Sequence, residues 1–223
     1  NIAELYADNF YYKEAYTTIA EAMRYVKKED KRRYLVVLDQ LIAIVTQMGD
    51  FKKARYLSSL MKKSAKSINY WQYLVQYYSN NGDIYYSWRR FSQALTYYEK
   101  VAEECEKHHV YNYEFFDAML KKVKILYVHK GKKTEARRLF GKLIRLKELS
   151  RAELGDIDFE YAGIPFIQND EEKIEILEGL LARYKKEKNN SRILKILLEL
   201  SALYEKKEYN FRLYEVLTDI LFY

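Results

Sequence analysis

Four alanines constrain this chain more than any other feature. Ala15, Ala54, Ala94 and Ala136 stand 39, 40 and 42 residues apart, and each closes a short turn-like segment that opens at Phe10, Gly49, Arg89 or Gly131. Four and seven residues after each alanine come Ile19 and Ala22, Ser58 and Met61, Tyr98 and Val101, and Phe140 and Leu143. A helical period puts each set of three on one face. Ahead of the turns runs a partner stripe, as in Leu38, Leu41 and Val45 or Leu120, Val123 and Tyr127. The repeating unit is therefore a helix hairpin. One hairpin cannot bury its apolar stripe alone, so consecutive hairpins must stack into a solenoid.

Two further hairpins continue the spacing more loosely, with Ile174, Leu177 and Leu181 in one and Leu213, Leu217 and Ile220 in the other. Larger residues replace the alanines there. The helix before the last turn keeps Leu197, Leu200, Ser201 and Tyr204 in register. Composition agrees with an all-helical chain, because 7 glycines and 1 proline in 223 residues leave few helix breakers. The same scarcity predicts that few turns rest on special backbone geometry. Pro165, preceded by Gly163, predicts a kink or early end in the first helix of the fifth pair. The apolar residues come in short clusters, with no run long enough to span a membrane.

The stretch from Asn81 to Tyr98, with small Gly82, aromatic Tyr85, Phe91 at the turn, small Ala94 and aromatic Tyr98, resembles a tetratricopeptide repeat. The 40-residue period exceeds the family's usual length of about 34, and the Leu-Gly pairs are mostly missing, so the longer helices resemble the variant repeats of peptide-sensing regulators and large signalling ATPases. The resemblance implies an all-α fold, an α-solenoid of about six antiparallel helix hairpins, with residues 1–223 forming a single repeat domain. A second register places Trp71, Leu74, Tyr78, Gly82, Ser87, Phe91 and Ala94 on the pattern. The first preserves the 40-residue step and requires one long or kinked helix over residues 69–88, around Asn80, Asn81 and Gly82. Because residue 1 is Asn, the chain is read as a fragment of a longer one.

In such solenoids the first helix of each pair lines the concave face. That frame assigns to a binding face Gln40, Gln47, Gln76, Asn80, Asp83, Tyr86, Lys121, Lys122 and His129, with Asp39 and Thr46 beside them. Amide side chains both donate and accept, which suits the backbone of an extended peptide. Most of the 24 tyrosines are read as packing between pairs, with Tyr73 and Tyr86 as candidate groove anchors. The Lys/Asn clamp by which chaperone-binding relatives grip a carboxyl terminus is not reproduced, since Ile125 follows Lys121 by four residues.

Charge is uneven beneath the net +7. Residues 119–151 hold twelve Lys/Arg and two Glu, whereas residues 152–178 hold nine Asp/Glu and one Lys. Basic and acidic hairpins complementing one another is one reading. The other is a docking patch of Lys130, Lys132, Lys133, Arg137, Arg138 and Arg145 for an acidic partner. Nucleic acid is a poorer fit, for no helix-turn-helix, zinc spacing or aromatic RNA-binding motif accompanies the charge.

Chemistry has little to stand on. Cys105 and His109 share the i, i+4 spacing of two metal ligands, but two ligands make no site, and no nucleotide-binding or nucleophile-elbow motif is present. No catalytic residue, cofactor or metal is expected. One cysteine allows no intramolecular disulfide, which slightly favours a reducing cytoplasm and would also suit a bacterial envelope. The functional expectation is a scaffold or adaptor binding a protein or peptide. The alternative is a peptide-sensing module of a bacterial regulator whose effector domain lies outside this sequence. Ile220, Leu221, Phe222 and Tyr223 end the chain on an apolar helix, so the expectation is either that the array continues or that this face self-associates with another chain.

Overall fold

The computed structural model describes residues 2–26, 30–150 and 164–221, and every regular element among them is helical. In chain order these are α1 (Ile2–Asp8), α2 (Tyr12–Tyr25), α3 (Lys31–Gln47), α4 (Phe51–Ile68), α5 (Trp71–Ser87), α6 (Phe91–Lys107), α7 (Tyr113–Lys124) with a π-helical extension (Ile125–His129), α8 (Lys133–Ser150), α9 (Asp170–Glu187), α10 (Asn190–Lys206) and α11 (Asn210–Ile220). None is long and apolar enough to cross a membrane. Two compact units divide the chain: the first comprises Asn1–Ala7 and Tyr12–Leu154, the second Asp8–Tyr11 and Gly155–Tyr223.

The first unit is the stack of hairpins read from the alanines. All four alanines are fully buried at 0 % exposure, so each marks a point where two helices approach closely. Leu35, Leu38, Ile42 and Val45 of α3 and Met61 of α4 complete a core with Ala15 and Ile19. Each large aliphatic in it contributes about 1.5–3 kcal/mol of burial. The hairpin turns fall at residues 48–50, 88–90 and 130–132, which decides for the 40-residue register. The first helix of a pair is 17 residues long in α3, in α5 and in α7 with its π turn. The longer step to Ala136 arises between pairs, where residues 108–112 connect α6 to α7 but residues 69 and 70 suffice between α4 and α5.

Contrary to the expectation from composition, the turns do rest on special geometry. Phe10, Gly49, Arg89, Gly131 and Glu208 all have positive φ, one per hairpin turn. Backward hydrogen bonds close four of these turns: Asp50 N–H donates to Val45 O, Arg90 to Tyr85 O and Tyr209 to Tyr204 O, each five residues back, and Lys132 donates to Leu126 O, six back across the π turn. This left-handed residue with its backward bond is a helix C-cap. Asp30, Asp50 and Asn112 then cap the following helices by accepting from Arg33, Lys53 and Phe115 backbone N–H groups. A non-glycine residue in the left-handed region costs about 1–2 kcal/mol, part of which glycine returns as backbone entropy. Arg89→Gly, at φ 58°, is therefore expected to stabilise the protein by up to about 1 kcal/mol, read as a higher urea midpoint with an unchanged slope. An unchanged midpoint would show the turn to be unstrained.

Gly82 does not kink α5, which is continuous through it. Its role is contact: a Cβ there would lie 2.3 Å from the Tyr98 ring of α6. Successive first helices also touch one another, α3 with α5 and α5 with α7, more than successive second helices do. That difference curves the first unit with α3, α5 and α7 on its inner side.

In the second unit α10 packs between α9 and α11 around Leu177, Leu180, Ile193, Ile196, Leu197 and Leu200. Asn169 and Asn189 cap α9 and α10. Pro165 lies in a 3₁₀ turn, Ile164–Phe166, and the helix expected to contain it, with Gly163, falls outside the described residues. The acidic stretch, as far as it is described, is neutralised in part: Asp170 pairs with Lys173 and Lys206, Glu171 with Lys207, and Glu178 with Arg212, while Glu172 and Glu175 make no ion pair among the described residues.

Candidate functional site

The inner face of the first unit brings most of the expected concave residues together. Gln47 and Thr46 at the end of α3, Asn80, Asp83 and Tyr86 along α5, and Lys121 of α7 line one groove of about 210 Å³, joined by Ile42, Ala43 and Ser87. The period of each helix explains the set: Asn80, Asp83, Tyr86 and Ser87 recur every three to four residues and so face one way.

A charge network forms the wall. Lys121 Nζ donates to Asp83 Oδ1 at 2.7 Å and to Asp117 Oδ2 at 2.7 Å, while Tyr98 Oη donates to the same Asp83 oxygen at 2.7 Å. Burial alone would lower the Lys121 pKa, but the two carboxylates overcome it and raise it well above the ordinary lysine value. Burial, with the Asp83 charge and hydrogen bond added, likewise drives the Tyr98 hydroxyl far upward. Lys121 therefore stays charged and committed to Asp83 and Asp117 throughout the physiological range. Beside it Asn80 Nδ2 donates to Asp39 Oδ1 at 2.7 Å. Asn80 is 8 % exposed, so this amide is a structural strut between α5 and α3. Gln47, by contrast, is exposed and its side chain makes no hydrogen bond among the described residues.

Four expected residues do not line the groove. Lys122 Nζ pairs with Glu99 of α6 at 3.1 Å. His129, delivered by the π turn, stacks on Phe91 at 3.8 Å between ring centroids and meets Tyr86 edge-on at 6.4 Å. Burial, then the charges of Lys124 and Arg89, lowers its pKa and favours the neutral ring. Gln76 hydrogen-bonds Asp39, and Gln40 is half-buried on α3. Asp117 and Tyr98 were not among the expected residues. Asp117 was visible as an acid four residues before Lys121; the meeting of both with Asp83 requires the fold.

Asp39 offers a pH test. Burial raises its carboxyl pKa, opposed by the Asn80 and Gln76 hydrogen bonds and reinforced by the Glu114 and Asp83 charges. An acid whose pKa is higher folded than unfolded stabilises the fold when protonated, and that stabilisation is lost as pH rises through the folded value. Asp39→Asn, which keeps an acceptor for Asn80, is thus expected to raise stability near neutral pH. The gain should shrink in urea titrations repeated at about pH 4. A gain independent of pH would assign the effect to something other than the Asp39 charge.

The six basic residues of the fourth pair are all exposed. Lys130 donates to Ser92 Oγ at 3.0 Å, Lys132 pairs with Glu135 at 3.2 Å, and Lys133 lies 5.6 Å from the Tyr127 ring centre. Arg137, Arg138 and Arg145 have no partner among the described residues, nor has Lys142 on the same helix. Arg138, Lys142 and Arg145 fall on one side of α8.

Cys105 and His109 do not form a facing pair. The thiol is buried, and burial together with the Glu114 and Glu104 charges pushes it up to about 12, unlike a reactive thiolate. His109 is exposed beyond the end of α6 at φ 52°. Among the described residues no group of three or more His, Cys, Asp or Glu is placed to hold a metal. Tyr73 packs against Tyr70 at 5.4 Å and the core, whereas Tyr86 remains in the groove. At the carboxyl end Leu217 is 49 % and Leu221 84 % exposed; Phe222 and Tyr223 lie outside the described residues.

No protein-family model matches this chain, and no curated protein does. Among solved structures it is similar to one described as the crystal structure of BtubC (BKLC) from P. vanneervenii. The TM-score is 0.61 with 13 % identical residues, over 97 % of this chain and 89 % of that one. At that identity the likeness concerns the fold, and it agrees with the all-α solenoid of stacked helix hairpins.

Proposed function

We propose that this chain is a binding protein of tetratricopeptide-like architecture that holds a peptide or an extended segment of another protein along the α3–α5–α7 face. The observation that carries this reading is the inner groove, where a fixed Lys121–Asp83–Asp117 network stands beside exposed Gln47 and half-buried Tyr86. At about 210 Å³ the groove is smaller than the roughly 300–1,000 Å³ of a small-molecule site, which suits one or two side chains of a longer ligand. Tyr86 offers large contact area at little entropic cost, and Gln47 offers both a donor and an acceptor.

The experiment compares capture from the native source by wild type, by Gln47→Ala/Tyr86→Ala, and by a charge reversal of Lys132, Lys133, Arg137 and Arg138. A partner lost with the inner-face pair and kept on reversal supports the groove. The opposite pattern favours a second reading, an acidic partner on α8, whose motivation is the row of cations without partners. The field of those cations extends about 8 Å at physiological salt, so that capture would also weaken steeply as salt rises. A peptide-sensing role requires more, namely that a short peptide shift the melting temperature or compactness of the chain by binding its states unequally.

A further inference from the structure

The second unit repeats α4, α5 and α6 at an offset of 119 residues. Added to Phe51–Ile68 and Trp71–Ser87 this step gives Asp170–Glu187 and Asn190–Lys206, the bounds of α9 and α10, and it carries the first residue of α6 to the first of α11. The left-handed residues Asn69 and Arg89 map in the same way onto Lys188 and Glu208. The register is set by the backbone, so side chains can be compared position by position.

In the first unit the space between second helices α4 and α6, over α5, is filled by rings. Tyr97 of α6 stacks on Tyr85 at 5.5 Å and meets Tyr77 edge-on at 6.4 Å. Cations cover the rings: Arg55 lies 5.7 Å from the Tyr85 centre, Lys62 5.1 Å from Tyr77, and Lys100 5.4 Å from Tyr97. In the second unit Tyr85 persists as Tyr204, but Tyr97 becomes Val216 and Tyr77 becomes Ile196. Arg55 and Lys62 become Ile174 and Leu181, and Lys100 becomes Asp219, so that Arg212, 6.0 Å from the Tyr204 ring centre and paired with Glu178, is the cation that remains over that ring. The space is left open. Two cavities, of about 630 and about 430 Å³, meet at Glu178 between α9 and α11, and the smaller is walled by Leu181, Tyr204 and Val216.

The rim has changed sign as well. Lys52, Tyr56, Ser59, Thr96 and Lys100 correspond to Glu171, Glu175, Glu178, Glu215 and Asp219. Lys207, Arg212 and Lys185 neutralise three of these acids, whereas Glu175 and Glu215 are exposed and have no partner among the described residues. The apolar side of α11 remains uncovered, with Phe211 74 % exposed.

We infer that the groove between α9 and α11 is a docking site for a basic segment of another protein, one that inserts an aromatic side chain against Val216 and Tyr204 and sets flanking Lys or Arg against Glu175 and Glu215. The occupant supplies what α4–α6 carry in their own sequence, a ring with cations around it. The rings and cations present there identify the missing chemistry, and the protein's net charge of +7 means that general attraction cannot account for a basic ligand. This site is separate from the α3–α5–α7 face and stands or falls independently of it.

The test uses the whole chain and fluorescence anisotropy with labelled lysine-rich amphipathic peptides bearing one tryptophan. The comparison peptides replace that tryptophan by alanine or every lysine by glutamate. Expected are saturable binding of the tryptophan/lysine peptide and at least about tenfold weaker binding of both comparison peptides, which a difference of about 1.4 kcal/mol produces. Val216→Tyr, which restores the ring, should block binding while the melting temperature holds or rises. Glu175→Lys/Glu215→Lys, a surface change with little bearing on folding, should weaken binding about as much. Equal binding by wild type and both variants would overturn the proposal, as would preference for the glutamate peptide. Concentration-dependent dimerisation abolished by Val216→Tyr, without peptide binding, would overturn it in favour of a second copy of this chain as the occupant.

Discussion

Gly82→Ala is expected to destabilise the first unit by roughly 1–2 kcal/mol although it introduces a better helix former. Propensity alone favours alanine by about 1 kcal/mol in a helix interior. Against that, the new methyl would sit 2.3 Å from Cε1 and 2.6 Å from Cδ1 of Tyr98. The ring has nowhere to go: it is 0 % exposed, and its hydroxyl is held by Asp83, which Lys121 holds in turn. Either α5 and α6 separate, an overpacking cost of about 1–3 kcal/mol, or the ring turns and gives up a charge-assisted hydrogen bond of about 1.5–3 kcal/mol. Both exceed the gain in propensity. Chemical denaturation of Gly82→Ala, Tyr98→Leu and the double variant measures this directly. The alanine should cost far less once Tyr98 is shortened, and strict additivity of the two changes would show that the clash is not where the loss arises.

The same contact shows what could be read in advance. The fold was legible because the alanines and their stripes repeat with the geometry: Ala94, Tyr98 and Val101 all bury completely, and the 40-residue step chose the correct turn. The turn conformations were not legible, because Phe10, Arg89 and Glu208 adopt a left-handed backbone without being glycine; hydrogen bonding across the turn, not residue type, decides them. Among inner-face residues, helical period found Asn80, Asp83, Tyr86 and Lys121. It could not tell the buried strut Asn80 from the exposed Gln47, since that depends on Asp39, 41 residues earlier. Lys122, adjacent to Lys121, reaches Glu99, a divergence that only helix rotation against α6 determines. The second unit looked like a fading repeat because its small residues are replaced. Only the matched bounds of α9 and α10 show that Val216 and Ile196 stand where the first unit carries Tyr97 and Tyr77.

Lys121→Met is expected to cost about 2 kcal/mol and to disable the inner groove without unfolding the chain. An exposed ion pair contributes about 0–1 kcal/mol, and breaking a fully buried one costs about 3–5. Lys121, 30 % exposed between Asp83 at 37 % and Asp117 at 25 %, stands between those limits. Methionine keeps the length of the side chain, so the loss reports charge: two neighbouring carboxylates lose the cation they share, and Asp83 keeps the Tyr98 hydroxyl. Because the folded pKa of Lys121 is raised, its contribution is complete below the unfolded lysine value of about 10.4 and disappears only as pH climbs through the folded one. The deficit of the variant should therefore stay level from neutral to mildly alkaline pH. Lys121→Met/Asp83→Asn/Asp117→Asn removes the repulsion as well and should recover much of the stability, as neutral replacement of a buried ionic cluster does. If the triple variant is stable yet no longer captures what the wild type captures, the charges serve recognition. If it regains both stability and capture, they only brace α5 against α7, and recognition rests with Gln47 and Tyr86.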